Sequence, residues 1–435
     1  MLESKVTAIE KQLKTALGEN VLENLGKESG FVQRQRTITA SKFVGSLLHS
    51  LGTRRVETIA DLHRDFNSDN GVFVNYKPYF EKLDSPGFPE LMRILFERMM
   101  SEMSLRILSP LREGPFRVFT DIAIHDGSSF ALHDDLRDEF PGRFKTISPA
   151  AVELHATMSL FRDNLTAVTI TADSECERHF TPDPKDLRRK LFMGDRGFDD
   201  RYYMKAIEQN GGSFLIRIRS IMKPTVVRIY RLPGKYRKLE GKRLDEVLKR
   251  IPKSKLLDMD VCWENYYGEP DCSFRMILKY NRTEKSWMRL MTNLPRKLFS
   301  AKSVLSAYHL RWQIEFYFKE LKSYANLHRF CTSKANIAEG LFWASLCVAF
   351  LKRYFAHACQ HVHPGRDIST RRVAMCGHSF LGAFFRSMLR RFRGLRDALA
   401  EAFLFLFNNA ARSNPRRERK KGRLAFGLVA VNGAR

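Results

Sequence analysis

The sequence predicts a mixed α/β fold, in which helices pack on a mixed sheet that is interrupted by a β-rich insertion and flanked by helical regions. Three observations support this prediction. Helical spacing of apolar residues dominates up to residue 110, strand and helix patterns alternate from there to residue 220, and helical patterns return after residue 300. A chain of 435 residues is also long enough for two or three domains.

We expect the chain to divide into five parts, each marked by a change of pattern. They are a helical N-terminal region (1–110), the first part of a core (111–220), a β-strand insertion (221–300), the second part of the core (301–365), and a helical, basic C-terminal region (366–435).

The N-terminal region shows helical periodicity. In "PELMRILFERMMSEM" (89–103), apolar residues recur at the spacing of one helix face, and Pro89 suits a first turn. The segments 56–66 and 75–83 predict two more helices, which form either a small DNA-reading unit or an ordinary packing element.

The middle of the chain alternates strands with helices. Asp199 and Asp200 precede one of the helices and are expected to cap it. Strands are predicted at 116–129, 152–161, 165–173, 191–195 and 214–220, and helices at 182–191 and 199–210.

The last third of the chain is predicted to be helical, after a β-rich stretch at 221–300. The apolar run at 341–351 has 11 residues, too few to span a bilayer, and we interpret it as a buried helix. Helices are predicted at 303–325, 336–361 and 379–408, followed by a solvated basic tail at 414–423.

The charge balance indicates a polyanionic partner. Lys and Arg total 74 against 48 Asp and Glu, which gives a net charge of +26. Such a surplus favours nucleic acid first and an anionic membrane surface second. The seven cysteines form no CxxC pair, which indicates reduced thiols and a cytoplasmic protein.

One predicted helix, "YHLRWQIEFYFKELK" (308–322), carries a mixed polar face. A continuous helix places Tyr308, Arg311, Glu315 and Lys322 within roughly a 60° stripe. The opposite face would be buried and carries Leu310, Ile314, Tyr317 and Leu321. The polar face alone is equally compatible with ordinary surface ion pairs.

Two further acids support a functional role for Glu315 rather than a surface ion pair. Asp126 stands where a predicted strand meets the glycine of "HDGSS", and Asp195 follows the short strand of "FMGDRGF". Three carboxylates that converge repel one another unless a cation neutralises them, and hard oxygen ligands favour Mg²⁺ or Mn²⁺. Asp121 competes with Asp126 for this role, but its odd spacing puts it on the other face of the strand.

At this point the sequence resembles a known family. Tyr308-x2-Arg311-x3-Glu315-x6-Lys322 matches the Y-R-E-K signature of bacterial insertion-sequence-4-type DDE transposases without a gap. "DGSS" at 126–129 and "DRGF" at 195–198 resemble the segments of that family that hold its two aspartates. The resemblance covers roughly residues 116–345.

The resemblance implies an RNase H-like catalytic core and cut-and-paste DNA transposition with two Mg²⁺ ions, which Mn²⁺ could replace. Asp126, Asp195 and Glu315 would be the catalytic metal ligands. The other signature residues, Tyr308, Arg311 and Lys322, would hold DNA phosphates, and Trp287 is the candidate for stacking on a flipped base.

The partner expected from this resemblance is double-stranded DNA, both the element's terminal inverted repeats and the target. The enzyme is expected to act as a homodimer in a synaptic complex, with DNA contacts from the N-terminal helices and no membrane association. The C-terminal region, with 14 Lys and Arg against 3 Asp and Glu in residues 371–423, either pairs two protomers or contacts DNA. Two alternatives stay open: a non-catalytic or decayed end-binding protein, and a metal-dependent nuclease.

Overall fold

Some helices of the structure begin at residues whose side chains cap them. The structure is a computed structural model that describes residues 2–34, 36–230, 232–264, 270–325, 327, 332–414 and 427–431. Thr58 and Asp61 form a capping box at the start of α4, and Asp200 accepts from two backbone N–H groups at the start of α7. The α-helices in the described residues are α1 Leu2–Leu17, α2 Glu19–Glu28, α3 Ala40–Thr53, α4 Ile59–Asn70, α5 Tyr76–Leu83, α6 Gly87–Glu102, α7 Arg201–Gln209, α8 Leu244–Arg250, α9 Ala301–Ala307, α10 Trp312–Tyr324, α11 Ala335–Val362, α12 Thr370–Met375, α13 Gly377–Leu389 and α14 Leu395–Asn409.

The strands form one large mixed sheet and one small two-stranded sheet, in which β1 pairs with β12. The strands that the structure describes are β1 Leu108–Pro110, β2 Asp121–Ala131, β3 Pro141–Phe144, β4 Ser148–Ser159, β5 Asn164–Ala172, β6 Lys190–Gly194, β7 Ser213–Arg217, β8 Thr225–Tyr230, β9 Leu256–Glu264, β10 Pro270–Asn281, β11 Ser286–Thr292 and β12 Leu428–Ala430.

The centre of the large sheet has the strand order β5–β4–β2–β6–β7. β2 and β4 are antiparallel, as are β4 and β5, whereas β6 runs parallel to β2 and β7 runs parallel to β6. Three antiparallel strands followed by two parallel ones are the RNase H-like arrangement that the resemblance implies. The predicted mixed α/β fold is therefore confirmed.

The β-rich insertion extends the same sheet. β11 pairs with β7, and β10, β9 and β8 follow in antiparallel order. A short helix, α8, packs on these strands through buried Leu244, Val247 and Leu248. The insertion is thus β-rich, as predicted, and its core is continuous with buried residues of the central strands.

The helical ends of the chain pack on each other. α3 contacts α13, α6 contacts α11, and α1 contacts α14. α11 is long and apolar enough to cross a bilayer by length and composition, yet 78% of its most apolar window is buried inside the protein. That burial is typical of a core helix, which is how the sequence was interpreted.

Several predicted boundaries are wrong. The segment 182–191 forms only a short 3₁₀ turn, Pro184–Leu187. The predicted helix 379–408 is two helices, because Arg391, Phe392 and Gly394 adopt positive φ values between α13 and α14. Asp199 is no cap. Most of the predicted basic tail at 414–423 lies outside the described residues.

Candidate active site

The register of two parallel strands places the two candidate aspartates side by side. Ile124 of β2 lies beside Met193 of β6, so two residues further along each strand Asp126 reaches the level of Asp195. Neighbouring strands lie about 5 Å apart. β6 ends at Gly194, and the Asp195 carboxylate accepts a hydrogen bond from the Gly197 N–H at 2.6 Å.

Asp126 itself lies inside a strand. The sequence placed it at a strand end before a glycine turn, but β2 continues through Gly127 to Ala131. Asp121, at the start of the same strand, accepts a hydrogen bond from Ser159 on the other face of the sheet. The two aspartates therefore lie on opposite faces of the strand, as their odd spacing predicted.

The third acid, Glu315, lies in the first turn of α10. The sequence predicted one continuous helix here, but Tyr308–Arg311 form a 3₁₀ turn between α9 and α10. Tyr308 is buried, and its hydroxyl donates to the Gly194 carbonyl at 3.4 Å. This hydrogen bond attaches the 3₁₀ turn to the end of the strand that precedes Asp195.

Arg311 joins two of the three acids. Its Nη1 donates to Asp126 Oδ2 at 2.9 Å and its Nη2 donates to Glu315 Oε1 at 3.2 Å. The arginine is only 8% exposed. The polar face that the sequence predicted is therefore an interior ion-pair network at this point, rather than a solvated surface.

The electrostatics show that these groups act on one another. The pKa of Asp126 is raised to about 7, chiefly by burial; the charges of Asp195 and Glu315 contribute to this rise, and the Arg311 charge opposes it. Burial opposes the charge of Arg311, but its pKa is raised on balance by Tyr308 and the three carboxylates. A cation near the three acids is thus electrostatically favoured.

The donor chemistry fits a hard divalent cation, because the three side chains offer only carboxylate oxygens. Within the described ranges, however, no group of three or more His, Cys, Asp or Glu side chains is arranged to hold a metal ion. Arg311 instead donates to oxygens of Asp126 and Glu315. Arg311 thus occupies one oxygen of each of these two acids, and a metal ion at those oxygens would displace it.

The other two predicted DNA-contacting residues lie further out. Lys322 is exposed near the end of α10, and its Nζ is 5.1 Å from the ring centroid of Phe130 on β2. Trp287 is half-buried on β11, and its ring packs edge-on against Tyr280 at 5.5 Å. Trp287 thus belongs to the β10–β11 hairpin of the insertion.

A second carboxylate pair, which the sequence interpretation missed, lies beside the site. Glu153 Oε1 is 2.6 Å from the point where a Cβ on Gly127 would be, and Glu177 Oε2 is 2.9 Å from the corresponding point on Gly197. Arg143 bonds both carboxylates, at 2.9 and 3.4 Å. The available signal was the lone acid in the apolar strand "AAVELHATM".

Asp199 has a structural role nearby. Its two oxygens accept hydrogen bonds from Arg178 at 2.9 Å and from Arg219 at 2.8 Å. The carboxylate is fully buried, so these ion pairs connect the segments on either side of α7. Asp200 alone caps the helix.

Comparison with known proteins identifies the family of the chain. Residues 118–351, more than half of the chain, match the transposase DDE domain. The chain belongs to the transposase DDE domain family. It is therefore a DDE transposase, as the sequence predicted, and an enzyme that cleaves and transfers DNA.

Two relatives are similar over most of their length. The transposase of insertion sequence element IS1151 from Clostridium perfringens is 22% identical over 357 residues, which cover 74% of this chain and 75% of that protein. The transposase of IS231C from Bacillus thuringiensis subsp. berliner is 19% identical, and the match covers 100% of this chain and 98% of that protein. A cryo-EM structure of the piggyBac transposase synaptic complex with hairpin DNA aligns at a TM-score of 0.46 and 10% identity, over 90% of this chain and 84% of that one.

Proposed function

We propose that this transposase moves its own insertion sequence by cut-and-paste transposition and is of the insertion-sequence-4 type, with Asp126, Asp195 and Glu315 as its catalytic acids. The observation that carries the proposal is the convergence of residues from three distant parts of the chain. The β2–β6 register brings Asp126 and Asp195 to one level, and Arg311 bonds both Asp126 and Glu315.

The narrower family assignment rests on the ungapped spacing of Tyr308, Arg311, Glu315 and Lys322. Two of these side chains are tied to the neighbourhood of the aspartates, because Tyr308 donates to Gly194 and Arg311 donates to Asp126. If the spacing matched the family signature only by chance, these two side chains would not be expected to contact the neighbourhood of the aspartates.

The three acids would hold Mg²⁺, or Mn²⁺ in its place, and we propose two ions. Divalent ions supply a water nucleophile at neutral pH and stabilise the charge of the leaving oxygen of a phosphodiester. Residues of the protein itself would orient these acids. The Gly197 N–H donates to Asp195, and the Gly127 N–H donates to Asp126 at 3.1 Å.

The cations of the site would hold the DNA. When Arg311 leaves the carboxylates, its guanidinium can form a bidentate contact with a phosphate next to the scissile bond. Lys322, exposed nearly two turns beyond Glu315, would contact a flanking phosphate. Tyr308, which was also predicted to hold a phosphate, is buried here, and its hydroxyl donates to the Gly194 carbonyl. We retain Trp287 as the candidate for stacking on a flipped base.

We propose the terminal inverted repeats of the element and its target as the DNA substrates, and a homodimer as the synaptic form. The net charge of +26 supports contact with a polyanion. In this proposal, helices of the N-terminal region (1–110) bind the repeats, and the C-terminal region (366–435) pairs protomers or contacts DNA. The full five-part division of the chain stays a prediction.

The decisive experiment incubates the purified chain with Mg²⁺ and a duplex that carries the inverted repeats flanking the gene. Double-strand cleavage at the repeats followed by joining to a target plasmid supports transposition. Cleavage without joining would support a nuclease instead. A gel shift without any cleavage would support an end-binding protein that lacks catalysis.

The variant Glu315→Gln tests the proposed ligand role. We expect it to abolish cleavage and to leave binding of the repeats nearly unchanged, because Gln removes the anionic donor but keeps the size of the side chain. Glu246→Gln, an exposed acid on α8, is the matched control and should cleave normally. Loss of repeat binding in Glu315→Gln would indicate that Glu315 serves the fold rather than the reaction.

A further inference from the structure

A groove of about 480 Å³ lies between the C-terminal ends of α3 and α10 and the junction of α12 with α13. Its walls include Gly52 and Thr53, Ser323 and Tyr324, and Gly377. Since these elements come from the N-terminal, core and C-terminal parts of the chain, no single segment of the sequence indicates this surface.

The groove is lined by basic side chains. Arg54, Arg55, Lys322, Lys352 and His378 all border it, and none of the described residues that line it is acidic. The four Lys and Arg side chains around one groove create a positive potential that favours a polyanion.

Two of these cations also have acidic partners. Arg54 pairs with Asp65 and Arg55 pairs with Glu57, but neither acid lines the groove. Arg55 is 70% exposed, so it can exchange Glu57 for a phosphate at little cost.

Lys352 is the unusual member of the set, because it is buried in α11. It is only 6% exposed, and its Nζ donates to the Tyr324 carbonyl at 2.9 Å. An ammonium group has three donors. The Nζ lies 3.1 Å from the point where a Cβ on Gly377 would be, so a glycine there leaves room for the ammonium group. Burial lowers the pKa of Lys352 to about 8, which a neighbouring anion would reverse.

The groove is aligned with the candidate active site. Lys322 follows Glu315 by seven residues in α10, which is roughly 10 Å and nearly two full turns. The two side chains therefore project from the same face of the helix. In duplex DNA, roughly 10 Å along the axis corresponds to about three nucleotides of one strand.

We propose that this groove binds the sugar-phosphate backbone of the DNA strand that leaves the active site, with Lys322 about three and the buried anchor Lys352 about four nucleotides from the scissile phosphate. The proposal rests on the proposed function and adds a binding surface formed by α3, α11 and α13. Charge, position and a buried ammonium group all favour a phosphodiester.

The first test measures binding of the full chain to the inverted-repeat duplex at salt concentrations between ~50 and ~200 mM. Lys352→Met keeps most of the side-chain volume and removes the charge. We expect roughly tenfold weaker binding at the upper salt concentration and a salt slope smaller by about 0.9, as loss of one phosphate contact requires. Lys205→Met is the matched control, because Lys205 also donates to a backbone carbonyl, that of Asp271, but lies far from the groove in sequence and does not line it.

The second test locates the contact on the DNA. Single neutral methylphosphonate linkages are placed at each position within ~6 nucleotides of the scissile phosphate. In the wild type we expect a loss of affinity at about the fourth linkage, because Lys352 bonds Tyr324, which lies roughly 13 Å beyond Glu315 along α10, and in Lys352→Met the same substitution should have no further effect. If Lys352→Met does not fold, the same linkage scan is carried out on Arg55→Gln, whose arginine is exposed, and its result decides whether the groove binds DNA.

The outcomes separate this proposal from the proposed function. If the wild type binds and cleaves the repeats while Lys352→Met and Arg55→Gln match it in affinity, salt slope and linkage scan, the groove proposal is overturned and the transposase assignment stands. If the wild type does not bind the repeats at all, the proposed function itself fails.

Discussion

Arg353 is the centre of a buried ion-pair network that supports the helix of Glu315. Located on α11, it bonds Asp163 in the β4–β5 turn at 2.9 Å and Glu320 of α10 at 2.6 Å. Arg353 is 5% exposed and Asp163 only 1%. The guanidinium thus links α11, α10 and the sheet edge, and we predict that Arg353→Met is strongly destabilising.

The magnitude follows from burial. Removing one partner of a buried ion pair typically costs about 3–5 kcal/mol, because the remaining charge stays desolvated. After Arg353→Met, Asp163 still has His357 at 3.6 Å, but Glu320 loses its arginine. A loss of this size is a large fraction of a typical folding free energy of about 5–15 kcal/mol.

The assay is urea unfolding followed by far-ultraviolet circular dichroism. We expect the unfolding midpoint of Arg353→Met to fall at an unchanged slope. Arg93→Met is the matched control, because Arg93 also bonds two acids, Glu90 and Glu97, but on the surface of α6. Its loss should be about 1 kcal/mol or less. Equal losses in the two variants would refute the argument from burial.

Two further predictions concern a titratable pair and a helix contact. Burial and the neighbouring Glu177 raise the pKa of Glu153 to about 8, so the folded state retains a proton that the unfolded chain loses near pH 4.5. Wild-type stability should therefore fall between these pH values, by on the order of 2 kcal/mol more than in Glu153→Gln, and parallel pH profiles would contradict this. Gly340→Ala should destabilise the protein by about 1–3 kcal/mol, because the new methyl group would overlap the ring of Phe88. Gly234→Ala, which meets open space, is its control and should leave the melting temperature nearly unchanged.

The sequence predicted elements best where pattern and burial agree. α11 was expected at 336–361 and spans Ala335–Val362, because its apolar residues are buried over most of its length. β6 and β7 were also found within two or three residues of their expected positions. In these segments the local periodicity and the tertiary environment require the same conformation.

The sequence was less informative where a long-range contact decides the conformation. The 3₁₀ turn at Tyr308–Arg311 interrupts the predicted helix, and the hydroxyl of Tyr308 reaches the Gly194 carbonyl 114 residues away in the chain. β2 likewise continues through Gly127, where the carboxylate of Glu153 occupies the space that a side chain would fill. Neither partner could be inferred from the local pattern.

The sequence by itself determined which residues could form a catalytic centre, since side-chain chemistry and the spacing of Tyr308, Arg311, Glu315 and Lys322 are properties of the chain alone. Only the tertiary structure decided which of them meet. The β2–β6 register aligns Asp126 with Asp195. Arg311 is buried beside Asp126 and Glu315 and pairs with both. The physical reason is that register and desolvation depend on contacts between segments up to about two hundred residues apart, which no local periodicity records.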